Sequence, residues 1–198
     1  MPQLPQRLGA PYLGQLYLAS ALKRAGHQVE AIDLGARFAP SDDSVVVDAI
    51  ERERPDAVAM TLFTYNAAAA YALSQKLAGR VRLLIAGGPH VTVRPKEPLG
   101  FGFDLAIAGE GEASLVAALN NLDEGRGYAN VAGAYWAHGH GVEVSPIERL
   151  ERLAPPYEGL DAFDLSRYWP EAAVEQPIPG GMMTSRGCPA RCTFCANY

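Results

Sequence analysis

The 198-residue sequence predicts an α/β fold in which a parallel sheet is covered by helices on both faces. Two observations carry that expectation. From about residue 12 to residue 122, short apolar runs alternate with segments whose apolar residues recur at helical spacing. The apolar runs end in glycines or small polar residues, where a buried strand gives way to a loop. Composition agrees: 48 % hydrophobic and 20 % charged residues describe a folded globular chain with one ordinary core and the start of a second unit.

The elements follow in order. Leu16, Ala19 and Leu22 share a helical face, and Gly26 supplies a stop after Lys23 and Arg24. Val29-Glu-Ala-Ile-Asp33 reads as a strand. Residues 41–53 read as a helix with Ser41 or Asp42 at the N-cap. Residues 56–61 form a short apolar strand entered from Arg54-Pro55. Asn66 then caps an Ala-rich helix whose Ala70, Leu73 and Leu77 lie together. Residues 81–86 are a buried-type strand ended by Gly87-Gly88-Pro89. Residues 105–108 are the next, ended by Gly109-Glu110-Gly111, and Leu115, Leu119 and Leu122 stripe a last helix.

One element is missing. Such a domain normally opens with a strand, whereas residues 1–10 (MPQLPQRLGA) are Pro-rich and polar, so the chain is read as starting late. Beyond Leu122 the character changes. Residues 133–137 and 142–144 flank His138-Gly-His-Gly141 as a β-hairpin. Residues 150–168 read as a linker wrapped on the surface, and 181–185 as a strand delivering the cysteines. The expected organisation is a first domain over 1–125, a hairpin and linker over 126–177, and the start of a second domain over 178–198.

Net charge is −5 and no stretch concentrates Lys and Arg, which argues against charge-driven nucleic-acid binding. The apolar runs are too short to span a bilayer, and no basic-then-apolar leader is visible. A cytoplasmic, reducing location is the expectation, and clustered cysteines agree with it.

Cys188, Cys192 and Cys195 are the only cysteines, spaced C-x3-C-x2-C. Three thiolates can hold three corners of a cubane iron–sulfur cluster, leaving the fourth iron open to a small molecule. Structural zinc usually takes four ligands, often as two C-x2-C-like pairs, and no second pair is present. Zinc and unrelated thiols are the alternative readings.

Three strand ends carry unusual loops: Thr61-Leu-Phe-Thr-Tyr65, Gly87-Gly-Pro-His-Val-Thr92 and Gly109-Glu-Gly-Glu112. Open parallel sheets bind ligands beyond the carboxyl ends of their strands, and glycine lets the backbone approach a bulky ligand. Neither glycine loop matches G-x-G-x-x-G, and plain tight turns are the competing reading. His90 is a ligand or a hydrogen-bonded structural residue. His138 and His140 read as solvated turn residues. Glu110 and Glu112 are potential general acids, and Glu112 also suits a helix N-terminus.

Arg186-Gly-Cys-Pro-Ala-Arg-Cys-Thr-Phe-Cys195 closely resembles the cluster loop of radical S-adenosylmethionine (radical SAM) enzymes. The resemblance implies that Cys188, Cys192 and Cys195 hold a 4Fe–4S cluster. S-adenosylmethionine would chelate the fourth iron, and Phe194 would lie beside its adenine. One electron from the cluster would cleave the sulfonium, giving a 5′-deoxyadenosyl radical.

The upstream region resembles the cobalamin-binding domain of one branch of that family. The matching stretches are Pro11-Tyr-Leu-Gly-Gln-Leu-Tyr-Leu-Ala19, Asp56-Ala-Val-Ala-Met-Thr61, Gly87-Gly-Pro-His-Val-Thr92 and Ala108-Gly-Glu-Gly-Glu112. The fold implied is flavodoxin-like (Rossmann-like), of the B12-binding type and lacking its first strand. It would be followed by the first strand and cluster loop of a radical SAM barrel. Thr61, Gly87, Gly88, His90 and Gly109 are the implied cobalamin contacts. The D-x-H-x-x-G motif is absent, so no histidine from it would ligate cobalt.

The expected function is that of the N-terminal part of a cobalamin-dependent radical SAM enzyme catalysing radical methyl transfer. A flavodoxin or ferredoxin would supply electrons, and the fragment alone is expected to be inactive. A non-catalytic cobalamin module, and a rearrangement or cyclisation enzyme without net methylation, are the alternatives.

Overall fold

The computed structural model describes residues 9–36, 42–143 and 150–168, with 181, 183–188, 190, 192, 193 and 195. Five strands form one sheet in the order β1 (Ala57–Thr61), β2 (Leu83–Gly87), β3 (Leu105–Ile107), β4 (Ala134–Trp136) and β5 (Gly139–His140). The first three are parallel, with Thr61 opposite Gly87 and Ala86 opposite Ala106. β4 runs antiparallel to β3, and β5 antiparallel to β4.

Side chains on β2 alternate between two cores, as the two-residue period of a strand requires. Leu84 and Ala86 meet Val46 and Ile50 of α2 (Ser44–Glu53) and Tyr71, Leu73 and Leu77 of α3 (Ala67–Leu77). Leu83 and Ile85 meet Leu22 of α1 (Leu13–Arg24) and Leu115 and Ala118 of α5 (Glu112–Asp123). A one-turn helix, α4 (Pro89–Val93), follows β2 directly. Both faces are therefore covered, as the apolar strands predict.

Several expectations need correction. The sheet is mixed, because the hairpin joins it with the opposite sense. Residues 29–33 do not form a sheet strand: Ala31 makes one isolated bridge, to Phe163, and its N–H donates to the Ala162 carbonyl. β1 lies at the edge of the sheet beside β2 alone, and its middle residue Ala59 is exposed. The hairpin's return strand is 139–140, so His140 lies opposite Tyr135 within the ladder; Val142 and Glu143 are not in a strand, and Val144 lies outside the described residues. No strand occurs among the described residues of 181–185. At the start of α2, Asp43 is the N-cap, while the Asp42 carboxylate accepts the Ser44 N–H at 2.9 Å; Ser41 lies outside the described residues.

The segment 150–168 packs as 3-10 turns, of which Pro156–Ala162 lies against α1. Gly159 is the contact point: a Cβ there would stand 2.6 Å from the Leu16 carbonyl oxygen and 3.0 Å from the Ser20 nitrogen. Arg24 grips Glu158 with two hydrogen bonds of 2.6 Å, and Lys23 pairs with Asp161. The buried Tyr168 hydroxyl donates to Asp33 Oδ2 at 2.7 Å, fixing the end of this segment to 29–36. Among the described residues, no helix is long and apolar enough to cross a membrane.

Candidate functional site

Parallel strands align their carboxyl ends, so the loops after β1, β2 and β3 emerge along one edge of the sheet. Thr61, Gly87, Gly88 and Gly109 lie on that edge. Gly88 has φ +98°, and a Cβ on it would stand 2.9 Å from the Leu62 carbonyl oxygen and 3.0 Å from Thr61 Cγ2. Only glycine lets the first two loops run this close. Gly109 has φ +81°, a left-handed conformation in which glycine carries no steric penalty. Between these two glycines sits Thr92. Its hydroxyl accepts the Gly109 N–H at 3.0 Å and donates to the Gly88 carbonyl at 3.2 Å, joining the second loop to the third.

Asn66 holds the N-cap position of α3, as expected, but its side chain serves the preceding loop and makes no cap hydrogen bond to the helix. Its Oδ1 accepts the Phe63 N–H at 2.7 Å and its Nδ2 donates to the Thr61 carbonyl, closing the loop after β1. That loop holds an aromatic shelf absent from the sequence reading. Phe63 stacks on Tyr65 at 5.3 Å and meets Tyr12 edge-on at 5.5 Å, while Tyr65 stays 72 % exposed. Burial, then the neighbouring Tyr65, pushes the Tyr12 hydroxyl above its ordinary pKa.

His90 is buried with both ring nitrogens engaged. Nδ1 lies 3.1 Å from Thr64 Oγ1, and Nε2 lies 3.1 Å from the Tyr71 hydroxyl. Tyr71 itself donates to Glu97 Oε1 at 3.2 Å. The Tyr71 oxygen therefore accepts from His90 Nε2–H, leaving Nδ1 to accept from Thr64. This tautomer completes a chain of donors running from the first loop to Glu97. Burial, together with the Glu97 carboxylate, pushes the Tyr71 pKa up to about 12.

Glu112 opens α5, as its place after Gly111 predicts, but it is also buried against Arg186. Arg186 Nη2 donates to Glu112 Oε1 at 2.6 Å, Nη1 lies 3.4 Å from Glu110 Oε1, and the guanidinium sits 5.0 Å over the Tyr17 ring. Burial pulls the Arg186 pKa down, but Glu112 and Glu110 outweigh it and leave the group above its ordinary value. The sequence signal for this partnership is a carboxylate at a buried helix start, which requires a cation nearby.

The cysteines follow two residues later. Cys188, Cys192 and Cys195 are all exposed, and the Cys195 N–H donates to the Cys192 carbonyl at 3.1 Å in a turn. Soft thiolates of this number suit an iron–sulfur cluster by type. Among the described residues, no group of three or more His, Cys, Asp or Glu side chains is gathered around one metal position. Phe194 lies outside the described residues. His140 is in the β5 ladder, with Nδ1 3.0 Å from the Gly141 carbonyl oxygen. An open depression of about 650 Å³, lined by Arg54, Arg80 and Arg82, lies at the opposite end of β1 and β2. Two of those arginines are paired, with Glu51 and Asp56.

The chain is similar to several known proteins. An uncharacterised methyltransferase of Pyrococcus horikoshii is 29 % identical over 94 % of this chain and 40 % of its own length. Cytidylyl-2-hydroxyethylphosphonate methyltransferase of Streptomyces wedmorensis is 25 % identical over 93 % of this chain and 43 % of its own. The chain thus spans less than half the length of these curated relatives. The radical S-adenosylmethionine methyltransferase TsrM of Kitasatospora setae shares the fold with a TM-score of 0.58, at 22 % identity over 70 % of this chain and 28 % of its own. The family model of the B12 binding domain matches residues 9–119, more than half of the 198-residue chain. The chain therefore belongs to the B12-binding domain family.

Proposed function

We propose that the chain is the cobalamin-binding part of a radical SAM enzyme and that its cysteine loop carries a 4Fe–4S cluster, for radical methyl transfer. The observation that carries this reading is a juxtaposition. The segment leading to Cys188 is held by Arg186 on Glu112, at the same sheet edge as Gly87, Gly88 and Gly109. A B12-binding domain and a three-thiol loop on one edge suit a reaction that uses both cofactors.

In this reading Thr61, Gly87, Gly88 and Gly109 form the backbone floor against which cobalamin lies. Thr92 and Gly88 keep the loops at fixed separation, and the shelf of Tyr12, Phe63 and Tyr65 presents apolar area beside them. His90 buttresses the first loop through Thr64 while Tyr71 holds its other nitrogen. Cys188, Cys192 and Cys195 supply the three protein ligands of the cluster, and Phe194 follows the same motif. When bound, the cluster supplies an electron to S-adenosylmethionine, and cobalamin carries the methyl group. Domain limits of 1–125, 126–177 and 178–198 accompany this reading, with an electron donor such as a flavodoxin or ferredoxin.

Anaerobic reconstitution with iron, sulfide and hydroxocobalamin tests it. Iron approaching four per chain, a cluster spectrum altered by S-adenosylmethionine, and retained cobalamin absorbance are the expected results. Cys188→Ala, Cys192→Ala and Cys195→Ala each abolish the cluster while sparing cobalamin. Cobalamin uptake with no iron supports the second reading, a non-catalytic B12 module. Uptake of neither cofactor overturns both.

A further inference from the structure

Gly181, Met183 and Arg186 dock on two neighbouring places, Leu13 and Tyr17 of α1 and the Glu110–Glu112 stretch that opens α5. A Cβ on Gly181 would lie 3.6 Å from Leu13 Cδ2, and the Met183 N–H donates to the Tyr17 hydroxyl at 3.4 Å. Arg186 lies flat over the Tyr17 ring and reaches both Glu110 and Glu112. Its side chain is only 13 % exposed and that of Glu112 only 9 %. Arg186 Nε is buried with no hydrogen-bond partner, so the carboxylates hold this guanidinium by its two outer nitrogens.

A buried ion pair 74 residues apart in sequence has a geometry that an exposed one lacks. Water cannot replace either partner, so breaking the pair strands a charge. Lysine cannot reproduce the contact, because the planar fork spans two carboxylates while stacking on an aromatic face. Two residues of backbone reach at most about 7 Å, so whatever holds Arg186 also confines the Cα of Cys188. Gly109 lies one residue before Glu110, so the same clamp reaches the third strand-end loop.

We infer that Arg186 is a positioning residue whose clamp on Glu112 and Glu110 sets the separation between the cysteine loop and the cobalamin edge of the sheet. The inference rests on the functional reading above for what occupies those two places; the clamp itself does not. One guanidinium then fixes the relative placement of the two redox centres, and neither centre needs to contact it.

Amide hydrogen exchange on the full 198-residue chain without cofactors tests the clamp. Arg186→Gln and Glu112→Gln are each expected to speed exchange across 183–188 by tenfold or more, with β2 and β3 unchanged. The reversed pair, Arg186→Glu with Glu112→Arg, restores part of the protection. The second readout is the magnetic interaction between the reduced cluster and cob(II)alamin in the reconstituted chain. It weakens in Arg186→Gln at unchanged iron and cobalamin content, and recovers only partly in Arg186→Lys. Unchanged exchange in both single variants overturns the clamp, as does faster exchange spread evenly over the whole sheet. An unchanged magnetic interaction in Arg186→Gln overturns its positioning role. Failure of the wild-type chain to take up either cofactor sinks the functional reading instead, and cofactor-free exchange still decides the clamp.

Discussion

A Cβ placed on Gly88 would stand 2.9 Å from the carbonyl oxygen of Leu62, so the loops after β1 and β2 touch through backbone alone. Gly88→Ala adds that clash to a φ of +98°. The two costs together come to about 3 kcal/mol. Urea denaturation should show the loss, and cobalamin retention should fall with it. A variant as stable as the parent would remove the steric account of this glycine.

Thr92→Val keeps the shape of the side chain but leaves the Gly109 N–H and the Gly88 carbonyl without their bridge. Stability should drop by about 1–2 kcal/mol. Cobalamin affinity should fall further than stability alone explains, because the spacing of the second and third loops is relaxed. Parallel denaturation and equilibrium dialysis separate the two effects.

Tyr71→Phe deletes the hydroxyl between His90 and Glu97, leaving a buried imidazole N–H without its acceptor. The expected cost at neutral pH is about 1–2 kcal/mol. The pH dependence has a definite sign. The Tyr71 pKa is raised from 10.0 to about 12 in the folded protein. Its contribution is complete below pH 10 and disappears as pH rises through 12. The stability gap between parent and Tyr71→Phe should close over that window, and a gap that widens there would falsify the assignment.

Gly159→Ala pushes a methyl group into the backbone of α1 at Leu16 and Ser20. Helix α1 cannot retreat without losing its core contacts at Leu22, so the segment 156–162 must lift instead. A loss of about 2–3 kcal/mol is expected. Exchange should rise at Ala31, whose N–H donates to the Ala162 carbonyl. Protection at Ala31 equal to the parent would show that the two segments are not coupled.

The α/β alternation was legible because it is written in local periodicity. Leu16, Ala19 and Leu22 sit on one turn-to-turn face whatever surrounds them, and the apolar run around β2 is buried in any arrangement that covers two faces. The glycines at 88 and 109 mark turns by the same local logic. The strand expected at 29–33 failed because β-structure needs a neighbour: the segment has the right residues, but only Phe163 bridges to it. The hairpin at β4 and β5 was visible in its turn, yet its register was not, since pairing Tyr135 with His140 depends on how β4 meets β3.

By itself, then, the sequence determined the succession of helices and strands, the turns, and the thiol spacing of Cys188, Cys192 and Cys195. Each depends on neighbours a few residues away. The tertiary structure alone decided that His90 spends both nitrogens on Thr64 and Tyr71, that Thr92 bridges two loops, and that Arg186 finds Glu112. These partners lie 17 to 74 residues apart. Only the closing of the sheet brings them within hydrogen-bond reach, where burial makes each pairing obligatory.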